Sequence, residues 1–504
     1  MSSESPTNDW ADLDRALGAM ACSGSAEVRE DGEWFAEMAG LHCELRSGGK
    51  ASLVHLWSGE RNLTRRVLRI REQSPDRIVL EVQRFGRSKP GRLEFLRTGG
   101  PRSPGRVTRE QFRALFQRIL AERFPDASID SLSVSPDLEH SLSGLYVRGR
   151  MREGPRAWAL LAAAPGGSAA TIEGMLAFAI LWLGWTRDHS DRHAVEGLRL
   201  FVPAGASRFL RERALALSSA ARAEIFEFEG PDCQMRKMDL AEAGNFESWL
   251  TPRREAESAL RAARDAASRV PPLASAIDEN SSYIRSSVMP GAKEVTFCFH
   301  GLAFARWSRE GIRFGLGDRL QNLTSAAEPA LQKLIRQLSL HRSSLATDTK
   351  HSLYRAAPER WLETLVLDNP DKLDAQLDPR HLYSQVPALS AGDRGVLDLL
   401  GVTRRGRLVV IELKASEDIQ LPMQAVDYWL RVRRHQLQRD FQRFGYFVGV
   451  ELDPKPPLVW LVAPGLRFHS TTSTLLRYLS PDIKVTCVGL NENWRCGIKI
   501  IFRQ

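Results

Sequence analysis

The segment from Gly395 to Ser416, GVLDLLGVTRRGRLVVIELKAS, places a carboxylate inside each of two otherwise apolar runs. The runs flank a basic turn with Gly406, and glycine readily adopts the positive φ that short hairpin loops need. A hairpin whose loop is centred on Arg405 has Asp398 directly opposite Glu412. Opposed residues on antiparallel strands have Cβ atoms about 5 Å apart, where like charges repel. Buried among valine and leucine, this pair therefore requires a positive partner.

We predict that a divalent cation is this partner. Hard cations such as Mg²⁺ bind carboxylate and carbonyl oxygens. Because side chains alternate along a strand, Lys414 is expected on the same face as Glu412. A lysine beside a metal-activated water can orient that water or stabilise negative charge developing on a phosphate. Asp398, Glu412 and Lys414 together therefore indicate a site for phosphodiester hydrolysis.

The spacing of these residues resembles the core motif of the PD-(D/E)XK nuclease superfamily. Asp398 is followed by thirteen residues and then by Glu412-Leu413-Lys414. The segment is particularly similar to the catalytic domain of the NucS-type endonucleases. Upstream, ERWLETLVLDNPDKLD resembles the helix that carries the first acid of that family, which makes Glu363 the candidate and Glu359 the alternative.

Downstream, LPMQAVDYW matches the Q-x-x-x-Y pattern that follows the ELK strand in many of these nucleases. The similarity extends from Glu359 to Tyr428 and, in outline, over the rest of the C-terminal domain. Residues 1–350 carry no NucS-like match, so the resemblance does not imply mismatch specificity.

The resemblance implies a role for each residue of the site. Mg²⁺ or Mn²⁺ would be held by Asp398, Glu412, Glu363 and the Leu413 carbonyl, and Lys414 would act on the attacking water. The residues implied in substrate binding are Gln385, Gln424, Tyr428, Arg431 and His435. The last four share one face of a helix, and we expect Arg431 and His435 to contact backbone phosphates.

Two other interpretations of the hairpin remain open. Its charged residues can form structural Glu–Lys or Asp–Lys pairs in an α/β domain without activity. A nuclease fold can also keep its acids for nucleic-acid binding or assembly. Cleavage that depends on Glu412 and Lys414 would separate these interpretations from the enzyme.

Earlier in the chain, GLYVRGRM and AWALLAA form a second predicted hairpin followed by a long helix, in the same order as the acid-bearing hairpin. This hairpin has no acid outside its turn, where Glu153 lies. We therefore predict an α/β protein with an internal duplication in which only the second copy has an active site. The predicted regions are a β-rich module (1–105), a degenerate nuclease-like α/β domain (106–230), a linker with a helix (231–290) and a restriction-endonuclease-like PD-(D/E)XK domain (291–504).

The charge of the chain is compatible with a polyanionic partner. Lys and Arg exceed Asp and Glu by 70 to 61, which gives a net charge of +9. We expect the partner to be DNA rather than RNA, and a homodimer is compatible with a nuclease that cuts both strands. The acidic N-terminus and the short apolar run Gly174–Trp185 indicate a cytoplasmic protein without a membrane segment, and six cysteines do not form a disulfide scaffold.

Overall fold

The structure is a computed structural model. It describes residues 10–22, 26–38, 42–48, 51–57, 62–83, 90–97, 109–137, 139–165, 169–190, 193–229, 234–241, 250, 252–280, 283–288, 294–317, 319–387 and 396–504. These residues form a mixed α/β protein with four β-sheets. The chain divides into two compact units, Met1–Leu210 with Ala220–Asp239, and Arg211–Ser219 with Leu240–Gln504.

The first sheet is antiparallel and lies in the first unit. Its elements are α1 (Trp10–Cys22), β1 (Ala26–Glu30), β2 (Glu33–Glu37), β3 (His42–Gly48), β4 (Ala51–Trp57), β5 (Asn62–Gln73), β6 (Arg77–Gln83) and β7 (Gly91–Arg97). The strand order is β2-β1-β7-β6-β5-β4-β3. Leu13, Leu17 and Met20 of α1 pack with the apolar side chains of the sheet. Most of the described arginines on its strands form ion pairs with acids of the same sheet, such as Arg65 with Glu30.

The second sheet, also in the first unit, has six strands. Its elements are α2 (Arg109–Arg123), β8 (Ser128–Ser133), β9 (Tyr146–Glu153), β10 (Arg156–Ala163), α3 (Ala169–Asp188), β11 (Ala194–Pro203), α4 (Arg208–Ala214), β12 (Ala223–Glu229) and β13 (Gln234–Lys237). Phe112 of α2 stacks on Phe228 of the sheet, and Phe116 of α2 contacts Phe201 edge to face. α4 spans the division between the two units. None of the helices in the described part of the chain is long and apolar enough to cross a membrane.

The third sheet opens the second unit. Its elements are α5 (Arg253–Ser268), α6 (Pro271–Glu279), β14 (Ile284–Val288), β15 (Val295–Phe299), β16 (Leu302–Ser308), β17 (Gly311–Leu316), β18 (Arg319–Asn322) and α7 (Glu328–His341). Ala263 and Ala267 of α5 and Leu273 of α6 belong to its core. The sequence predicts a linker with a helix over 231–290, whereas α5 and α6 form part of a hydrophobic core. The alanines of α5 join this core because the third sheet covers them. A domain boundary at 290/291 would also separate β14 from β15, which pair.

The fourth sheet carries the predicted hairpin. Its elements are α8 (Ser352–Arg355), α9 (Pro358–Asp368), α10 (Pro370–Leu373), β19 (Tyr383–Pro387), β20 (Val396–Val402), β21 (Leu408–Leu413), α11 (Leu421–Leu437), α12 (Asp440–Arg443), β22 (Leu458–Pro464), α13 (Thr472–Arg477), β23 (Lys484–Leu490) and β24 (Ile500–Arg503). Trp361 and Leu362 of α9 pack with Leu399, Ile411 and Val462 of the sheet in one core.

The second and fourth sheets have the same topology. Their orders are β13-β12-β11-β10-β9-β8 and β19-β20-β21-β22-β23-β24. Counted from β8 and from β19, each sheet has two antiparallel pairings, then two parallel pairings and then one antiparallel pairing. In each parallel pair, the chain passes through a helix between the two strands. The penultimate residue of β21 is Glu412, whereas that of β10 is Ala162, which lies opposite Val147. The two sheets therefore share one order of elements, and in the second sheet apolar Ala162 has the place that Glu412 has in the fourth.

His300 lies between the third sheet and α9 and is expected to make stability depend on pH. Its ring is 6% exposed and stacks on Trp361. Burial, together with the charge of Arg342, lowers the pKa of His300 to about 4. The unfolded chain, with a pKa near 6.5, therefore binds a proton before the folded protein does. Stability from this group is complete above about pH 6.5 and is lost as the pH falls towards 4, by up to about 3 kcal/mol.

Thermal unfolding of the wild type and of His300→Asn between pH 4 and pH 7 measures this effect. Asparagine is the suitable replacement because His300 has a φ of 42°, which asparagine tolerates. We expect a smaller loss of thermal midpoint on acidification for the variant. Parallel curves for the two proteins would assign the pH dependence to other groups.

Candidate active site

The hairpin β20–β21 has the register that the sequence predicts. Leu399 pairs with Ile411 and Leu400 with Val410. The same register continues at the turn, where the Thr403 N–H donates to the Arg407 carbonyl over 2.8 Å. Gly406 has a φ of 80°, and a Cβ atom there would lie 2.0 Å from the Glu451 carbonyl oxygen. Glycine at this position is therefore required both by the turn and by the neighbouring chain.

Asp398 and Glu412 stand opposite each other one step further along this register; Glu412 is buried and Asp398 is half-buried. The Asp398 side chain is 15% exposed, and Glu412 is 3% exposed. Asp398 Oδ2 accepts a hydrogen bond from the Leu413 N–H over 3.0 Å, whereas Glu412 Oε2 is buried with no hydrogen-bond partner among the described residues. Burial raises the pKa of both carboxyl groups, that of Glu412 well above its usual range, and the charge of Asp398 raises the pKa of Glu412 further.

Lys414 lies beside the acids, as the alternation of the strand predicts. Its Nζ is 3.8 Å from Glu412 Oε1 and 3.4 Å from Asp418 Oδ2. Burial alone would lower the pKa of Lys414, but the carboxylates of Glu412 and Asp418 outweigh it and raise the pKa. Lys414 is therefore a fixed positive charge at the edge of the acid pair.

Helix α9 brings both candidates for the first acid to this region. Glu363 is 4% exposed, and its Oε2 accepts a hydrogen bond from Arg360 Nη1 over 2.8 Å. The same Nη1 lies 3.6 Å from Asp398 Oδ1. Glu359 Oε1 instead accepts the Ala415 N–H over 3.3 Å. Glu363 and Asp398 thus share one arginine as a partner. Glu359, also on α9, contacts the backbone just after β21.

The sequence analysis did not single out Arg360, although its position three residues before Glu363 on one helix face was a usable signal. Its guanidinium contacts two of the acids that were expected to hold a metal. Asp418, which shares Lys414 with Glu412, was also missed. Asp418 lies in the segment between β21 and α11, so only the fold shows that it returns to the site.

The start of helix α11 faces the acids. The pKa of Tyr428 is raised by burial and then by the charges of Glu412 and Asp398. Gln424 Oε1 is buried without a hydrogen-bond partner among the described residues. Tyr428 therefore lies within the electrostatic influence of the hairpin acids.

The expected phosphate contacts of Arg431 and His435 are wrong. Arg431 is 5% and His435 2% exposed. Arg431 donates to the Asp427 carbonyl and forms an ion pair with Glu212. His435 Nδ1 is 2.8 Å from Asp440 Oδ2. Because α11 is buried along this face beyond Tyr428, the face that begins at the acids continues into the protein interior.

The last predicted substrate-binding residue, Gln385, belongs to β19. Its side chain lies outside the described residues.

Asp398 and Glu412 fit a divalent cation chemically. The two carboxylates lie on paired strands. Glu412 Oε2, which has no hydrogen-bond partner among the described residues, is an acceptor that a cation would satisfy. Glu363 is already neutralised by Arg360. In the part of the chain that the structure describes, no group of three or more His, Cys, Asp or Glu side chains comes together in a way that could hold a metal ion. Asp398 and Glu412 are thus the two ligands with the clearest support.

Comparison with known proteins found few similarities. No protein-family model matches the chain, and no curated protein matches it. Two solved structures that match are a repair endonuclease from Pyrococcus abyssi, with 12% identity and a TM-score of 0.18 over 45% of this chain and 98% of that chain, and the EndoMS–dsDNA2 complex, with 13% identity and a TM-score of 0.16 over 45% of this chain and 95% of that chain. TM-scores this low carry no argument, so the function is inferred from the geometry of the chain itself.

Proposed function

We propose that this protein is a metal-dependent nuclease that hydrolyses phosphodiester bonds, in DNA rather than RNA. One observation carries the proposal. At the end of one hairpin, buried Glu412 stands opposite half-buried Asp398, Glu412 Oε2 has no hydrogen-bond partner among the described residues, and Lys414 Nζ lies 3.8 Å from Glu412 Oε1. A structural ion pair would satisfy the acid rather than leave one of its oxygens buried and unpartnered.

In this proposal Asp398 and Glu412, with the Leu413 carbonyl, would hold Mg²⁺ or Mn²⁺. The bound ion would supply Lewis-acid stabilisation of the phosphate and a more acidic water. Lys414, held by Glu412 and Asp418, presents a positive charge that can orient the attacking water or stabilise the developing negative charge. The Leu413 N–H fixes the orientation of Asp398, which leaves its other oxygen, Oδ1, directed towards Arg360.

The charge of the chain supports a polyanionic substrate. The net charge of +9 favours association with nucleic acid through its phosphates. It does not distinguish DNA from RNA, and the preference for DNA rests on the resemblance to NucS-type endonucleases.

A panel of labelled single- and double-stranded DNA and RNA substrates, with and without Mg²⁺ or Mn²⁺, tests this proposal. We expect cleavage of DNA with either metal and none in EDTA. Lys414→Ala is expected to reduce cleavage by at least about 100-fold, since the charge next to the reacting phosphate is lost. Lys455→Ala, at an exposed position, is the matched control and should cleave like the wild type. Cleavage that persists in EDTA, or in Lys414→Ala at the wild-type rate, would contradict this mechanism.

A second candidate is a nucleic-acid-binding or assembly protein built on the same fold without activity. The observation that favours it is the contact of Arg360 with Glu363 and Asp398, which partly neutralises the acid group without a metal. DNA binding by the wild type with no cleavage of any substrate in the panel would support this candidate.

A further inference from the structure

The side chain of Arg360 lies where the acids converge. Its Nη1 is 2.8 Å from Glu363 Oε2 and 3.6 Å from Asp398 Oδ1. Glu363 and Glu412 are buried, and the Asp398 side chain is 15% exposed. Such a group of carboxylates is strongly destabilising unless cations accompany it. Arg360 contacts Glu363 and Asp398, and Lys414 contacts Glu412.

The two cations differ in how they are held. Lys414 is bound by Glu412 on one side and by Asp418 on the other. Arg360 is held by Glu363 and Asp398, and its side chain is 33% exposed. Arg360 also lines a cavity of about 290 Å³. Ser286, Ser287 and Tyr383 line the same cavity and present hydroxyl groups, which can accept a hydrogen bond from a guanidinium. The Arg360 side chain therefore has space to turn into this cavity, where the hydroxyl groups can accept hydrogen bonds from its guanidinium.

We propose that Arg360 is a resident cation that competes with the divalent metal for Asp398, and that it turns into the adjoining cavity when the metal binds. Arg360 is a positioning residue in this scheme, since it acts through the Asp398 carboxylate. When no metal is bound, Arg360 balances the negative charge of the acids and so stabilises the folded protein. Its charge lowers the affinity of the site for the metal. The inference rests on the proposed function for the identity of the metal site.

Repulsion between the Arg360 guanidinium and the divalent ion lowers the affinity of the site for the metal. A guanidinium and a divalent ion that share one carboxylate repel each other across a few ångströms, and partial burial reduces the screening by water. Arg360→Gln removes the charge and keeps a hydrogen-bond donor for Glu363. We expect this variant to bind Mn²⁺ at least about tenfold more tightly than the wild type. Without metal it should unfold at a lower temperature, because the acids lose their counter-ion.

Mn²⁺ binding is measured by the electron paramagnetic resonance signal of the free ion, with no DNA present, so the readout does not depend on activity. Arg285→Gln is the matched control. Arg285 lines the same cavity but forms its ion pair with Asp368, and its replacement should leave the affinity unchanged. If Arg360→Gln fails to fold, Arg360→Lys keeps a charge on a shorter side chain, and we expect affinity above that of the wild type.

The outcomes separate this inference from the function on which it rests. Tighter Mn²⁺ binding by Arg360→Gln but not by Arg285→Gln supports the competition. Equal or weaker binding by a folded Arg360 variant, with wild-type binding that requires Glu412, overturns the competition and leaves the metal site intact. Absence of Mn²⁺ binding in the wild type and in both Arg360 variants overturns the competition together with the metal-dependent function.

Discussion

Glu412→Gln is expected to abolish metal-dependent cleavage, by at least about 1000-fold, and to raise the thermal stability of the metal-free protein. Activity falls because glutamine binds a hard cation far more weakly than a carboxylate does. Stability rises because the variant removes a buried acid that is close to Asp398 and has one unpartnered oxygen. Without metal, the change should stabilise the fold by about 1–3 kcal/mol, or roughly 2–5 °C in Tm.

The gain in stability should depend on pH in a defined direction. Burial raises the pKa of Glu412 well above its usual range. The folded protein therefore binds the Glu412 proton more tightly than the unfolded chain does. The contribution of this proton to the free energy of unfolding is complete below the unfolded pKa, about 4.3, and is lost as the pH rises through the folded pKa. The difference in Tm between Glu412→Gln and the wild type should therefore be larger at pH 8 than at pH 4.5.

Cleavage assays and thermal unfolding at both pH values measure these effects, with Glu417→Gln as the control. The Glu417 side chain is 53% exposed and is 4.0 Å from His469, so its replacement should change neither cleavage nor Tm appreciably. Full cleavage by Glu412→Gln would remove the residue from the mechanism. A loss of stability at pH 8 would indicate that Glu412 forms a net stabilising pair with Lys414.

Arg342→Met is expected to destabilise the second unit by about 3–5 kcal/mol. Arg342 is fully buried, and its guanidinium donates hydrogen bonds to five backbone carbonyls, those of Phe299, His300, Leu353, Ala356 and Ala357. The guanidinium carbon also lies 4.9 Å from the centre of the Trp361 ring. Burial lowers the pKa of Arg342 to about 9, and methionine would fill the volume but remove the guanidinium donor from these carbonyls.

The effect of Arg342→Met should extend to the candidate active site. Ala356 and Ala357 immediately precede α9, which carries Arg360 and Glu363. We therefore expect lower cleavage as well as lower stability, measured by thermal or urea unfolding and by the DNA assay. Arg336→Met is the control, because Arg336 is exposed on α7 and surface changes of this kind alter stability by about 0.5 kcal/mol or less. Equal stability of the two variants would contradict the role given to Arg342.

The hairpin was predictable because its information is local. The basic loop, Gly406 and two apolar runs determine the pairing of β20 with β21, since a slip of one residue would turn every side chain to the other face. The order of strands and helices was predictable for a similar reason, because each element has its own periodicity. The position of Lys414 beside Glu412 follows from the same alternation.

Other features depended on contacts between distant segments. Arg431 and His435 lie on the predicted face of α11, but only the packing of Glu212 and Asp440 against that helix shows that the face is buried. The sequence predicts a helix within a linker at 231–290, but only the third sheet shows that small residues of α5 and α6 belong to a core.

The sequence by itself determined which residues are acidic and in what register β20 pairs with β21, because that register depends on neighbours along the chain and on a short turn. Only the tertiary structure decided which charges balance those acids. Arg360 comes from a helix 38 residues before Asp398, and its contact with that acid depends on how α9 packs against the sheet. The balance of charge in a buried site is set by distances in space, and spacing along the chain does not determine those distances.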